Sequence, residues 1–183
     1  MRRFFASLAV TACLAAPAFA APEIGDVAPA FQADGFLGGE AFHFDLAEAL
    51  SEGPVVMYFF PAAFTGGCNV EAALFAESAA EFTAAGATLI GLTAGNTDRL
   101  AEFSEAHCAS AFPVAAVDRQ TVSDYGVGLM MRPGWTSRTS YVVAADGAIA
   151  FKHSEMNPDQ HVTLTLQALQ VLTGMADPAP ASE

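Results

Sequence analysis

Two apolar rhythms alternate along most of this chain. Val55 to Phe60 is an unbroken apolar run, and Thr88 to Thr93 and Phe112 to Val117 are built alike. Runs with no polar face predict strands at the centre of a sheet, covered on both sides. Between them the spacing turns helical. Leu74, Phe75, Ser78 and Phe82 recur after Cys68 until Gly86 stops the pattern. Leu100, Phe103 and Ala106 form a second stripe behind Asn96, the predicted N-cap, with Cys108 at the helix end. Arg138 to Ala145, then Asp146-Gly147, then Ala148 to His153 is a hairpin signal. In the last helix Asn157 is the expected cap and Pro158 the first position, with Val162, Thr165, Leu169 and Leu172 on one face up to Gly174.

The flanking segments are weaker. Residues 21 to 35 read as an irregular lead-in with at most one short strand. Phe42 and Phe44 alternate with His43 and Asp45 after Gly38-Gly39, which predicts an edge strand with His43 exposed. Asp45 to Ser51 and Thr121 to Tyr125 are short helices by pattern. Val127 to Ser137 has no period and reads as a loop, whose Met130, Met131 and Trp135 either cover core or line a pocket. Strand, helix, strand, helix, strand, hairpin and terminal helix make an α/β three-layer sandwich with a central mixed sheet, one domain over residues 21–175. Residues 176–183 read as a disordered tail.

The first twenty residues change the expected address. Arg2-Arg3, the apolar stretch Phe4 to Ala16 and Ala18-Phe19-Ala20 have the three parts of a secretory signal, which implies a mature start at Ala21 and a periplasmic location. Val10-Thr11-Ala12-Cys13 also resembles a lipoprotein box, the minority alternative, with Cys13 as the lipidated residue. Pro17 interrupts the apolar stretch, which is short for a span, so no stable membrane insertion is expected. Cleavage removes Arg2 and Arg3, two positive charges, and takes the net charge from −13 to −15. The cations left are Arg99, Arg119, Arg132, Arg138 and Lys152. So acidic a chain is a poor partner for nucleic acid and suits a small uncharged substrate. Two thiols remain, Cys68 and Cys108, in an oxidising compartment where a plain structural disulfide would also explain them.

Chemistry concentrates in Pro61-Ala62-Ala63-Phe64-Thr65-Gly66-Gly67-Cys68-Asn69-Val70-Glu71. The order predicts a buried strand, a turn, and a cysteine in the first turn of a helix. Unpaired N–H groups and the helix dipole favour a thiolate there, and the thiolate is the nucleophile. Thr65 lies three residues before Cys68, within reach of the sulfur or of a reacting oxygen. Pro61 stiffens the start of the loop, and Gly66 and Gly67 let backbone approach a small reactant.

Pro-x-x-x-Thr-x-x-Cys resembles the active-site signature of the peroxiredoxins, and Cys68-x-x-Glu71-Ala72 is similar to the subfamily called peroxiredoxin Q or bacterioferritin comigratory protein. The resemblance, over roughly residues 22 to 172, implies a thioredoxin-like fold with N-terminal additions. It implies thiol-dependent reduction of hydrogen peroxide or alkyl hydroperoxides, with no cofactor or metal. Cys68 then matches the peroxidatic cysteine and Arg138, in Arg138-Thr139-Ser140-Tyr141, the arginine beside the sulfur. Thr65 would bind substrate, Pro61 would shield the sulfur, and Glu71 would orient Arg138. The chain departs from the subfamily where a resolving cysteine often stands, because that position is Ala73. Cys108 is the remaining candidate for resolution as a disulfide, with partial unwinding of the Cys68 helix, and the neighbouring His107 is expected to be exposed. A thioredoxin-like protein or a small thiol would be the reductant, and the protein a monomer or weak homodimer. Three other readings compete. A secreted thioredoxin-like thiol–disulfide oxidoreductase would want Cys-x-x-Cys, where Asn69, Val70 and Glu71 follow Cys68. A copper chaperone of similar fold would want a second cysteine at Ala72. A redox-silent interaction domain would lose only packing with Cys68.

Overall fold

The structure, a computed structural model, describes residues 21–175. The signal segment, the Cys13 alternative and the predicted tail therefore lie outside the described residues. Its sheet is mixed and has seven strands in the order β2-β1-β5-β4-β3-β6-β7. The centre is parallel: β3 (Val55–Phe59) pairs with β4 (Thr88–Thr93), and β4 with β5 (Val114–Ala116). Around it the pairing is antiparallel. On one side are β1 (Gln32–Leu37) and β2 (Glu40–Asp45), on the other the hairpin β6 (Thr139–Val143) and β7 (Ile149–Ser154).

Side chains alternate across a strand, so each strand divides its residues between two cores. Val56, Tyr58 and Phe60 face one core with Val142, where they meet α2 (Gly66–Ala84), α3 (Leu100–Ala106) and α5 (His161–Thr173). Val55, Met57 and Phe59 face the other with Tyr141 and Val143, beneath α1 (Leu46–Glu52) and α4 (Arg119–Asp124). Every residue of β3 is buried, as its unbroken apolar run requires. Helix, sheet, helix are the three predicted layers. Among the described residues no helix is long and apolar enough to cross a membrane.

Several boundaries differ from the pattern. The third apolar strand shrinks to Val114–Ala116: the Pro113 carbonyl still accepts from the Gly91 N–H of β4 at 3.0 Å, but proline has no N–H to extend the ladder. Asn96 does not cap: it sits in the left-handed region at φ 53 before a 3₁₀ turn (Thr97–Arg99), and its amide donates to the Ala63 carbonyl at 2.8 Å. In α3 the buried polar residue is Ser104, while Ala106 is exposed. Ser104 accepts from the Gly39 N–H and donates to the Ala101 carbonyl, both at 2.8 Å, which removes the cost of burying it. The last helix starts at His161, three residues beyond Pro158. Asn157 Oδ1 instead accepts from the Asp159 N–H in a local turn, and Leu172 has turned partly outward. His43 is exposed on the edge strand, 2.6 Å from Asp34. Met130 and Met131 cover no core, at 94% and 91% exposure, whereas Trp135 is half-buried under the Arg132 guanidinium.

Candidate active site

The loop between β3 and α2 is held by its own carbonyls. Phe60 O accepts from the Thr136 hydroxyl, Pro61 O from Thr93, Ala62 O from Thr65 and Ala63 O from Asn96, at 2.6 to 3.3 Å. Four successive acceptors are thus satisfied by side chains, one from the loop itself, two from the end of β4 and the turn after it, and one from the segment before β6, which fixes a loop with no regular structure. Phe64 pays for the path with φ 60, a conformation that costs an ordinary residue about 1 kcal/mol. Its ring is pinned edge-on to Phe103 and His107 and lies under the Arg99 guanidinium at 3.9 Å. His107 is accordingly half-buried, not the exposed side chain expected from its place at a helix end.

Thr65 stands at the N-cap of α2 and Cys68 is the third helical residue, in the first turn as predicted. Cys68 is 1% exposed although Gly66 and Gly67 beside it are open to solvent, and Pro61 is buried behind the loop. The Thr65 hydroxyl donates to Ala62 O, not to the sulfur. Its oxygen keeps its acceptor capacity. Gly67 has a different neighbour from the one expected, since a Cβ there would lie 3.0 Å from the Arg138 guanidinium. Its missing side chain admits Arg138, while around Gly66 space is open.

Arg138 precedes β6 and points to the same face as Ser140 and Val142, because the strand period is two. That face carries α2. The buried guanidinium reaches three partners at once. Nη2 lies 3.7 Å from Cys68 Sγ, Nη1 pairs with Glu71 Oε2, and Nε donates to the Met156 carbonyl at 3.0 Å. Glu71 is fully buried, one turn after Cys68 on the same inner face of α2. Burial pushes its carboxyl up to about 8, against the opposing pull of Arg138.

The sequence pattern missed a fourth group. His161 opens α5, is fully buried, and places Nδ1 3.8 Å from Glu71 Oε1. Nδ1 also lies 2.8 Å from Ser140 Oγ, and Nε2 lies 2.9 Å from the Glu155 carbonyl. A carbonyl only accepts, so Nε2 carries the proton and Nδ1 of the neutral ring accepts from Ser140. The available signal was the stripe His161, Thr165, Leu169 at spacing four; the expected start at Pro158 drew attention to Val162 instead. Burial pushes His161 down to about 4. An unfolded histidine takes up its proton near pH 6.5, so between those values the unfolded chain binds the extra proton. Stability is therefore lost as pH falls from 6.5 to 4. Chemical denaturation at the two pH values will show wild type losing on the order of 2 kcal/mol more than His161→Gln.

Cys108 lies just past α3, fully buried in the same core as Cys68, and both thiols are free. Burial pushes its thiol up to about 12. The two residues after it, Ala109 and Ser110, are left-handed at φ 48 and 55. Among the described residues no three His, Cys, Asp or Glu side chains are grouped to hold a metal ion.

Comparison with known proteins identifies the family and the fold. A sequence model described as the AhpC/TSA family matches residues 24–152. The chain belongs to the AhpC/TSA family. These are the peroxiredoxins, and the protein is accordingly a thiol-dependent peroxidase of the thioredoxin-dependent type, an oxidoreductase acting on peroxides. It is 32% identical over 131 residues to a Mycobacterium tuberculosis protein, Rv1608c, that carries a provisional peroxiredoxin name; the match covers 69% of this chain and 84% of that one. It is 28% identical over 120 residues to the chloroplastic peroxiredoxin Q of Suaeda salsa, covering 65% of this chain and 56% of that longer one. Among solved structures, the peroxidoxin BcpB of Mycobacterium tuberculosis is 29% identical with a TM-score of 0.71, over 81% of this chain and 97% of that one. This peroxiredoxin therefore has the predicted thioredoxin-like fold.

Proposed function

We propose that Cys68 is the peroxidatic thiol and that it reduces hydrogen peroxide or an alkyl hydroperoxide. The observation that carries this reading is the Arg138 guanidinium 3.7 Å from Sγ, brought there from seventy residues away. The thiolate attacks one peroxide oxygen, the O–O bond breaks, and sulfur becomes a sulfenic acid. The departing hydroxide or alkoxide takes a proton and leaves as water or alcohol. Arg138 stabilises negative charge on the sulfur and on the departing oxygen in a site that excludes water. Thr65, with its hydrogen spent on Ala62, accepts from the peroxide O–H. Pro61 shields the sulfur from behind.

Cys108 resolves the sulfenic acid: its thiolate attacks Sγ of Cys68, the S–O bond breaks, the departing hydroxide takes a proton and leaves as water, and an internal disulfide forms. Both thiols lie in one core on the α2 side of the sheet. A thiol held near pKa 12 is a poor nucleophile, so Cys108 must leave the core first. The left-handed pair Ala109-Ser110 and left-handed Phe64 store about 1 kcal/mol each, which lowers the cost of that rearrangement along with unwinding at the start of α2. A thioredoxin-like protein or a small thiol then reduces the disulfide. The signal-like start supports export to the periplasm, and the likeness to peroxiredoxin Q proteins supports a monomer or weak homodimer.

Mass spectrometry after one equivalent of peroxide tests the resolving step. Wild type will carry a Cys68–Cys108 bridge, and Cys108→Ser will consume peroxide at an unchanged rate but accumulate sulfenic acid on Cys68. Sulfenic acid persisting equally in wild type removes Cys108 from the cycle.

A further inference from the structure

Behind Arg138 lies a buried polar pocket that peroxide chemistry at the sulfur does not call for. It holds one permanent cation and two acids, Cys68 and Glu71, each on a different nitrogen of the same guanidinium. Excess charge in a buried site is expensive, so one cation is matched by one anion, and a second anion raises the energy steeply. Thiolate and carboxylate therefore compete for Arg138.

Glu71 has somewhere to put a proton. Its Oε1 is buried without a hydrogen-bond partner, and the atom facing it is the bare Nδ1 of His161. A carboxylate oxygen opposite a lone pair is unfavourable; an acid O–H on the same oxygen hydrogen-bonds that lone pair once the 3.8 Å separation closes by about 1 Å. Ser140, whose hydroxyl rotates, supplies Nδ1 with a donor when Glu71 is ionised and yields to the acid when it is not. We propose that Glu71 and His161 form a proton-holding dyad that gains one proton as Cys68 loses one, so that Arg138 faces a single anion throughout. The step is balanced. The S–H bond breaks with its electron pair left on sulfur, an O–H bond forms on Glu71, and the charge of the pocket is unchanged. His161 is then a positioning residue, acting on sulfur through Glu71 and Arg138.

The surroundings keep that proton on Glu71. From β7 the His153 ring lies 4.6 Å from the His161 ring, and charge on His153 or on Arg138 opposes a second proton on His161. From β3 the buried Tyr58 hydroxyl stays protonated, its ionisation opposed first by burial and then by negative charge on Cys108, Glu71 or Cys68. Thr165 on α5 turns its hydroxyl to the His161 carbonyl and takes no part. The raised Glu71 and depressed His161 agree with a neutral acid facing a neutral imidazole.

The inference rests on Cys68 being the reacting thiol, and its test uses no peroxide. Glu71→Gln imitates the protonated acid, with a carbonyl for Arg138 and an N–H for Nδ1. The pH profile for alkylation of Cys68 by iodoacetamide should move about one unit lower in Glu71→Gln, roughly tenfold faster on the acidic limb. It should move higher in His161→Gln, and the double variant should match Glu71→Gln alone. An unchanged profile in Glu71→Gln, or one moved higher, overturns the dyad. Carbon-13 NMR of glutamate-labelled protein gives a second readout should a variant not fold. At a pH where Cys68 is thiolate, the Glu71 carboxyl should be protonated in wild type and ionised in Cys68→Ser. The same state in both overturns the proposal. A chain that passes these tests but ignores peroxide keeps the dyad and loses the peroxidase assignment of Cys68; one that reduces peroxide with Glu71 ionised throughout does the reverse.

Discussion

Cys68→Ser will consume hydrogen peroxide no faster than a protein without a free thiol. Removing the nucleophile from a covalent mechanism costs on the order of 10⁴- to 10⁶-fold, and among the described residues nothing else compensates. Cys108 remains in this variant but cannot substitute. With its thiol held near 12, only about one molecule in 10⁵ carries the thiolate at neutral pH, and that sulfur is fully buried. The serine hydroxyl fits the space of the thiol, and Arg138 can donate to it, so the variant will fold. Loss of peroxide consumption with an unchanged melting curve is the expected pair of results. Retained consumption would move the reaction to another residue.

Arg138 gives the second large effect, on two quantities that separate cleanly. Its three nitrogens serve the Met156 carbonyl, Glu71 and Cys68 simultaneously, a fork that one ammonium cannot reproduce. Arg138→Lys keeps the charge but loses the fork, and will slow the reaction with peroxide about 10²- to 10³-fold, the usual cost of losing one aimed hydrogen-bond donor in a catalytic site. Arg138→Met adds a stability defect, because it leaves Glu71 buried without a counter-ion. Breaking one side of such a pair costs about 3–5 kcal/mol, and less where the acid protonates. The double variant Arg138→Met/Glu71→Gln will recover most of that stability and none of the rate. Stopped-flow kinetics beside denaturant melts will show the split; rate returning with stability would mean that Arg138 only holds the fold.

What the sequence made legible follows how local each signal is. The strand β3 and the first-turn position of Cys68 are written in consecutive residues, Val55 to Glu71, and the structure agrees with both. The hairpin carried its own turn at Asp146-Gly147. Arg138 beside the sulfur was legible only through the family resemblance, since no pattern within residues 138 to 141 says which side of the sheet faces α2. Non-local pairings were not legible. Asn96 looked like a cap, yet its amide serves Ala63, thirty-three residues earlier. Thr65 looked aimed at the sulfur, yet its hydrogen goes to Ala62. Cys108 read as the end of a helix, while the structure puts it in the core, and that burial turns a ready thiol into one that must first be exposed. His161 is hidden in the sequence because Asn157-Pro158 imitates a helix start, whereas the helix begins at His161 and turns the imidazole inward.

Rapid mixing of reduced protein with one equivalent of hydrogen peroxide, followed through the loss of one thiol, decides whether Arg138 activates Cys68. The Cys68 thiol will be lost at least about a hundredfold faster than an unassisted cysteine at the same pH, the contribution expected of the aimed guanidinium. Consumption no faster than that of free cysteine would leave Cys68 an ordinary buried thiol.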